Sequence, residues 1–446
     1  MTAEPTKDIL EERLGRLTPA DIRKAVETFR AALGHQGAAD LNACVHCGLC
    51  ADTCHYALTS DEPENPPAYK VNLVMAVFKR YFTRLGRTVP GWVGARELDE
   101  TLTREWVDVL FGRCSLCGRC NLNCSVGLNI TALITAARAA LTAIGLIPPE
   151  LQSTITTAYT TGNNMGIAQN DWVETVQWLE EELQAETGDP TARMPLDLHG
   201  ARMLYTVNPR EPKFFPLSLL AAGKLFYAAG ESWTLATDYY DVTNYGLYSG
   251  EAPVAGELSD RLVRTAERLG CQELILGECG HGFNANRWEA PEWLAKRYPF
   301  RVRSVLELLA EYIRDGRLRL DPAKNADRVT LHDPCNLVRL GGVVEEQRYI
   351  LHRAVSDFME MTPNREKNFC CGGGGGQLSM TRYAQRRLQA GRIKADQIGA
   401  TAAKVVATPC HNCVDQLSEL NKEYKLGVAI KTLCEIVADA LVLPAH

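Results

Sequence analysis

In the first third of the chain, apolar positions recur every three or four residues, the spacing that turns one helical face toward a core. Residues 18–33 (TPADIRKAVETFRAAL) predict a helix, with Thr18 as N-cap, Pro19 at the first helical position, and Ala, Val and Phe on one face. A proline- and acid-rich loop is expected over 55–69, and helices over 69–85, 96–111 and 129–145. Residues 150–195 continue as helix, and the acids Glu174, Glu180, Glu181, Glu182 and Glu186 read as a solvated face. From about residue 198 the texture changes to short β-type runs alternating with helices, an α/β signature. One copy of this pattern runs through strand Met203-LYTV, a helix over 257–269 and strand Glu273-LILG. A second runs through strand Arg328-VTLH, a helix over 382–397, strand Lys404-VVAT and an apolar helix over 429–442. The fold class expected is therefore α+β and multi-domain. A helical domain covers 1–150, a helical connector 151–197, and two α/β copies follow at 198–300 and 301–446. The two most apolar stretches, 131–147 and 217–230, are interrupted by Arg138 and Lys224 and are too short to span a bilayer.

The cysteines add chemistry to this outline. Cys44, Cys47, Cys50 and Cys54 repeat the spacing of Cys114, Cys117, Cys120 and Cys124, and both read C-x2-C-x2-C-x3-C. That is the spacing with which bacterial-type ferredoxins hold cubane [4Fe–4S] clusters, the fourth cysteine serving the other cluster. The expected sets are Cys44, Cys47, Cys50 with Cys124, and Cys114, Cys117, Cys120 with Cys54. Zinc or a redox dithiol is the competing reading of such pairs. Where ferredoxins commonly place proline after the last cysteine, this chain has His55 and Ser125. The net charge of −6 lacks the basic surplus that nucleic acid demands. The first 30 residues are polar and charged with no apolar leader, so metal ligation in a reducing, cytoplasmic setting is expected over disulfides.

Five more cysteines form a second set in the last copy: Cys335, Cys370, Cys371, Cys410 and Cys413, spaced C-x34-CC-x38-C-x2-C. Each group lies where a strand breaks into a loop, so the thiols can converge at one end of a sheet. Side chains of adjacent cysteines diverge, which suits an open cluster better than a cubane; zinc is again the competitor. The glycines from Gly372 to Gly376, beginning with Gly372 and Gly373, would let backbone approach an inorganic cluster. A P-loop is excluded because Gln377 stands where Lys-Ser/Thr is needed. His332, Asp333 and His411 flank the ligands as hydrogen-bond partners or proton donors. The first copy has Asn208, Asn244, Tyr245 and Gly282 at the corresponding places and keeps only Cys279, while Cys271 and Cys434 read as core thiols.

This second set resembles the CCG domain of heterodisulfide reductase, and the whole chain resembles its fused D-type subunit. The resemblance implies a helical two-cluster ferredoxin domain followed by a duplicated α/β CCG domain. It also implies that Cys335, Cys370, Cys371, Cys410 and Cys413 hold a non-cubane [4Fe–4S] cluster at which disulfides are reduced in one-electron steps. With the first copy stripped of ligands, two cubanes and one non-cubane cluster are expected. The reduced form is similar to D-like subunits of membrane redox complexes in sulfate-reducing bacteria. Those dock on an integral cytochrome b-type subunit at the inner face of the cytoplasmic membrane and serve anaerobic respiration. The implied activity is reduction of a disulfide or trisulfide, protein-borne or small. The alternatives are a pure electron relay, or the iron–sulfur subunit of a hydroxy-acid dehydrogenase partnered by a flavoprotein.

Overall fold

Gly34 ends the first predicted helix at its expected place, but only for one residue. In the computed structural model, which describes residues 8–443, the helix Pro19–Ala43 bends at Gly34 (φ 59°) and resumes, delivering the chain to Cys44. The first seven residues, part of the stretch without an apolar leader, lie outside the described residues. Two compact units result. The first comprises the residues through Ser153 together with Tyr245–Glu251 and Gly372–Ile393. The second comprises Thr154–Asn244, Ala252–Cys371 and the residues from Lys394 onward.

The first unit is helical. Its helices Pro67–Phe82, Glu100–Trp106 and Ile130–Ala143 pack with Pro19–Ala43 around Phe29, which meets Trp106 edge-on at 5.8 Å and Phe82 at 6.2 Å. The expected helix over 96–111 is shorter and runs into a π turn, Val107–Phe111, whose wider winding leaves the Leu110 carbonyl for another donor.

The second unit contains two four-stranded parallel sheets. β1 (Met203–Thr206), β2 (Trp233–Thr234), β3 (Glu273–Leu276) and β4 (Arg301–Ser304) are ordered 2-1-3-4. β5 (Val329–Leu331), β6 (Phe358–Met359), β7 (Val405–Ala407) and β8 (Ala429–Lys431) are ordered 6-5-7-8. The duplication extends to detail. The last strand of each sheet leads into a helix opened by a capping box, Ser304 with Glu307 and Thr432 with Glu435. The apolar stretch expected as helix over 429–442 is thus divided: its first residues pair as edge strand β8, and the helix Leu433–Ala440 starts after the Thr432 cap. Inner strands β1 and β3 are buried along their whole length, and residues of both sheets join one core with Trp172, Leu225, Leu309 and Val437. Among the described residues no helix is long and apolar enough to cross a membrane.

Candidate metal centres

The two ferredoxin-type loops share one backbone path. In each C-x2-C-x2-C run the residue before the second cysteine and the glycine after it are left-handed: His46 (φ 55°) with Gly48 (φ 80°), and Leu116 (φ 51°) with Gly118 (φ 72°). Such alternation turns successive N–H groups toward one concave side, an anion-binding nest. The Leu116 N–H donates to Cys114 Sγ at 3.4 Å. Glycine recurring after the second cysteine is the sequence signal for this path, and cysteine spacing alone does not carry it.

The structure brings thiols of the two blocks together. Cys54 lines one cavity with Cys114, Cys117 and Cys120. Burial drives the Cys50 thiol up to about 11, and the neighbouring Cys124, Cys44 and Cys47 push the same way. Cys120 is pushed well up by burial and by Cys117, Cys114, Cys54 and Cys50. Thiols crowded like this resist ionising together unless metal charge compensates them. The residues that replace proline reach across as well: His55 Nε2 lies 3.4 Å from Ser115 Oγ, and Ser125 Oγ lies 3.6 Å from Cys47 Sγ. Lys70, buried on the lining of the Cys54 cavity, donates to the Asn65 carbonyl.

Arg138 fastens this unit together. It is wholly buried, with no carboxylate among its hydrogen-bond partners. Its guanidinium donates to the carbonyls of Leu110 (3.0 and 2.8 Å), Cys114 (2.8 Å), Tyr248 (3.0 Å) and Gly375 (2.9 Å). One side chain therefore joins the second cysteine block to both later segments of the unit. Gly375 (φ 66°) packs so closely that a Cβ there would lie 2.6 Å from the Ser115 carbonyl carbon. The tail of the glycine run thus serves close approach to the Cys114–Ser115 backbone, which its sequence position beside Cys370 and Cys371 did not announce.

In the second unit, Cys335, Cys370, Cys371, Cys410 and Cys413 are all buried. Cys371 Sγ lies 3.5 Å from Cys413 Sγ, and ligand atoms of His332, Cys371 and Cys413 all fall within 4.8 Å of one another. Cys410 caps the start of the helix His411–Tyr424, which presents Cys413 in its first turn. The Cys410 thiol is drawn down to about 7 by the hydrogen bond from Cys413 and by the Gly280 N–H at 3.4 Å, against burial. Cys413 is held well up by its bonds with Cys371 and Cys410. His332 is wholly buried and neither ring nitrogen has a hydrogen-bond partner, an expense a core histidine seldom carries without a missing partner. Burial keeps it well below the usual histidine range, hence neutral. Buried thiols, an orphaned neutral imidazole and a buried cation fit a thiolate-bound metal group.

That cation is Lys394, which sequence reasoning missed because it lies on an otherwise ordinary amphipathic helix. Its ammonium donates to Asn368 Oδ1 and, at 3.6 Å, to Met361 Sδ. Burial lowers it to about 8, while Asp333, Cys371, Cys370 and Cys413 favour its charged form. Asp333 is clamped by Arg348 through two 2.9 Å bonds and accepts the Arg365 N–H at 2.7 Å, fixing the turn that carries Cys335. His411 is not a member of the His332 group. Its Nε2 lies 3.5 Å from Glu211, and despite burial Glu211, Glu278 and Glu435 raise it to about 9.

Strand registers align the two copies. Thr206 pairs with Leu276 and Leu331 with Ala407, while Cys279 and Cys410 each follow three residues after those β3 and β7 positions. Arg210, rather than Asn208, therefore stands where Cys335 stands, and it is ion-paired to Asp415. At Gly282, the counterpart of Cys413, a Cβ would lie 2.2 Å from the Val242 carbonyl oxygen. At that position the first copy's own backbone leaves no room for a side chain. Cys279 is buried there with His281 Nδ1 at 3.4 Å.

Comparison with known proteins accords with this division. A 4Fe-4S dicluster domain model matches residues 40–128, and a cysteine-rich (CCG) domain model matches residues 329–418. An Hdr-like menaquinol oxidoreductase iron–sulfur subunit of Archaeoglobus profundus is 30% identical, the match covering 91% of this chain and 80% of the relative. The corresponding subunit 2 of Archaeoglobus fulgidus is 29% identical over the same shares. The D-type component of the dihydromethanophenazine:CoB–CoM heterodisulfide reductase of Methanosarcina barkeri is 25% identical, covering 90% and 94%.

Proposed function

Since the chain belongs to the family of Hdr-like menaquinol oxidoreductase iron–sulfur subunits and D-type heterodisulfide reductase components, we propose that it moves electrons between a quinol-linked membrane partner and a disulfide-type acceptor. It is an iron–sulfur electron-transfer subunit of an Hdr-like complex. Cys44, Cys47, Cys50 and Cys124 would hold one cubane, and Cys114, Cys117, Cys120 and Cys54 a second. Cys335, Cys370, Cys371, Cys410 and Cys413 would hold a non-cubane [4Fe–4S] cluster, which supplies one-electron chemistry toward disulfides or trisulfides. The partner would be an integral cytochrome b-type subunit, with this chain on the cytoplasmic face. The observation that carries the acceptor site is the buried group of His332, Cys371 and Cys413, with Lys394 beside the thiols.

The chain's own residues divide the work. Lys394 offsets thiolate charge, Asn368 links it to the Asp333 carbonyl, and Arg348 holds Asp333. His332 offers a neutral ring nitrogen within the thiol group, whereas His411 holds its proton against Glu211. Similarity over nine-tenths of the chain to Hdr-type subunits favours this reading over the hydroxy-acid dehydrogenase one. The crowding at Gly282 in the first copy favours a relay as the second reading. EPR separates them. Oxidised holoprotein titrated with thiols should develop a paramagnetic species if sulfur ligands bind at the acceptor site, and a relay would show none.

A further inference from the structure

We propose that residues 79–96 form a lipid-facing prong that binds anionic headgroups directly and seats Trp92 at the membrane–water interface. The segment comprises the end of the helix Pro67–Phe82 and two short turns of helix, Arg84–Thr88 and Pro90–Val93. Trp92 at its tip is 92% exposed and Leu85 is 61% exposed. Tryptophan is ordinarily well buried in a folded domain, and an amphipathic ring held outward is typical of headgroup level.

The exposure is built into the structure. At Gly86, which is buried, a Cβ would lie 1.9 Å from the Lys79 carbonyl oxygen, so the turn is pressed onto the helix end. Lys79 Nζ donates to the Val93 carbonyl at 3.1 Å, and Arg87 Nε donates to the Tyr81 carbonyl at 3.1 Å. Gly94 turns the chain back in the left-handed region (φ 65°). Four separate devices thus hold a tryptophan in solvent.

Charge selects the occupant. Residues 79–96 contain Lys79, Arg80, Arg84, Arg87 and Arg96 and no acid, in a chain whose net charge is −6. Arg80 and Arg96 are paired with Glu97 and Glu105, but Lys79 and Arg87 bond only carbonyls, and Arg84 has no ion-pair partner among the described residues. Uncompensated cations around isolated apolar tips, without a continuous apolar groove, suit a phosphate-rich headgroup layer better than a protein pocket.

The test uses the full-length holoprotein, anaerobically purified, floated with phosphatidylcholine vesicles and with vesicles about one-third phosphatidylglycerol. Binding only to the anionic vesicles, weakened by salt, is expected. Arg84→Gln with Arg87→Gln should weaken it about 25-fold, at roughly fivefold per cation. Quenching of tryptophan emission by brominated phosphatidylglycerol should fall in Trp92→Phe, which retains an aromatic ring and the turn. Equal binding to both vesicles, undiminished binding by the double variant, or Trp92-dependent capture by an integral subunit without vesicle binding would overturn the proposal. Vesicle binding does not depend on the acceptor site, so iron content of the same samples tests the cluster reading separately.

Discussion

Arg138→Ala should cost the ferredoxin-type unit roughly 4 kcal/mol or more, a large part of the stability a domain of this kind has. The reason is local. Alanine removes five hydrogen bonds, taking the guanidinium from the carbonyls of Leu110, Tyr248 and Gly375 and leaving Cys114 only the Gln377 amide at 3.4 Å, in a site with no exposed side chain. Each orphaned buried acceptor costs about 1–3 kcal/mol, and water entering the vacated space recovers part of that. The planar guanidinium also lies 4.7 Å from the Phe111 ring centroid. Arg138→Lys keeps the charge but lacks the fork that reaches several carbonyls together, so it should fall between wild type and alanine. Thermal unfolding, with iron retention at the ferredoxin-type loops followed in parallel, reads both variants. An alanine variant melting within about 2 °C of wild type would show that the guanidinium does not fasten the unit.

Lys394→Met is expected to lower the reduction potential of a cluster held by the CCG cysteines by on the order of 100 mV, as removing one neighbouring charge implies at an effective dielectric near 20. The direction follows from the geometry. The ammonium is buried, is hydrogen-bonded to the neutral Asn368 and Met361 atoms, and counts Cys371, Cys370 and Cys413 among its charge neighbours. Its charge therefore stabilises the more reduced, more negative state. Methionine fills a similar volume without charge, so packing is largely retained. EPR-monitored redox titration reads the shift, with the ferredoxin-type potentials as internal controls. A potential within about 20 mV of wild type, at unchanged iron content, would show that Lys394 does not tune the cluster.

Much of the candidate site was legible in the sequence, because its cysteines keep short, fixed spacings. The repeated C-x2-C-x2-C-x3-C blocks and the adjacent pair Cys370–Cys371 are local patterns, and the strand–helix alternation from residue 198 is equally local. The edge strands were not. β2 and β6 are two residues each, too short for any period, and β8 opens a stretch that reads as helix until Thr432 caps the real one. Long-range assembly was also illegible. Tyr245–Glu251 and Gly372–Ile393 join the first unit through contacts no periodicity announces, and Arg138, which bonds both, reads in sequence only as a break in an apolar run. The first copy's loss of ligands was readable from residue types alone. That Arg210 occupies the Cys335 position and the Val242 carbonyl fills the space beside Gly282 required strand register and coordinates.

Two ferredoxin-type clusters and a third cluster at the CCG cysteines can be counted from the iron, sulfide and zinc content of anaerobically purified wild type beside the Cys371→Ser, Cys413→Ser variant. About twelve irons and no zinc are predicted in wild type, falling to about eight in the variant with the ferredoxin-type signals intact. About eight irons in both proteins, with zinc lost from the variant, would contradict the third cluster.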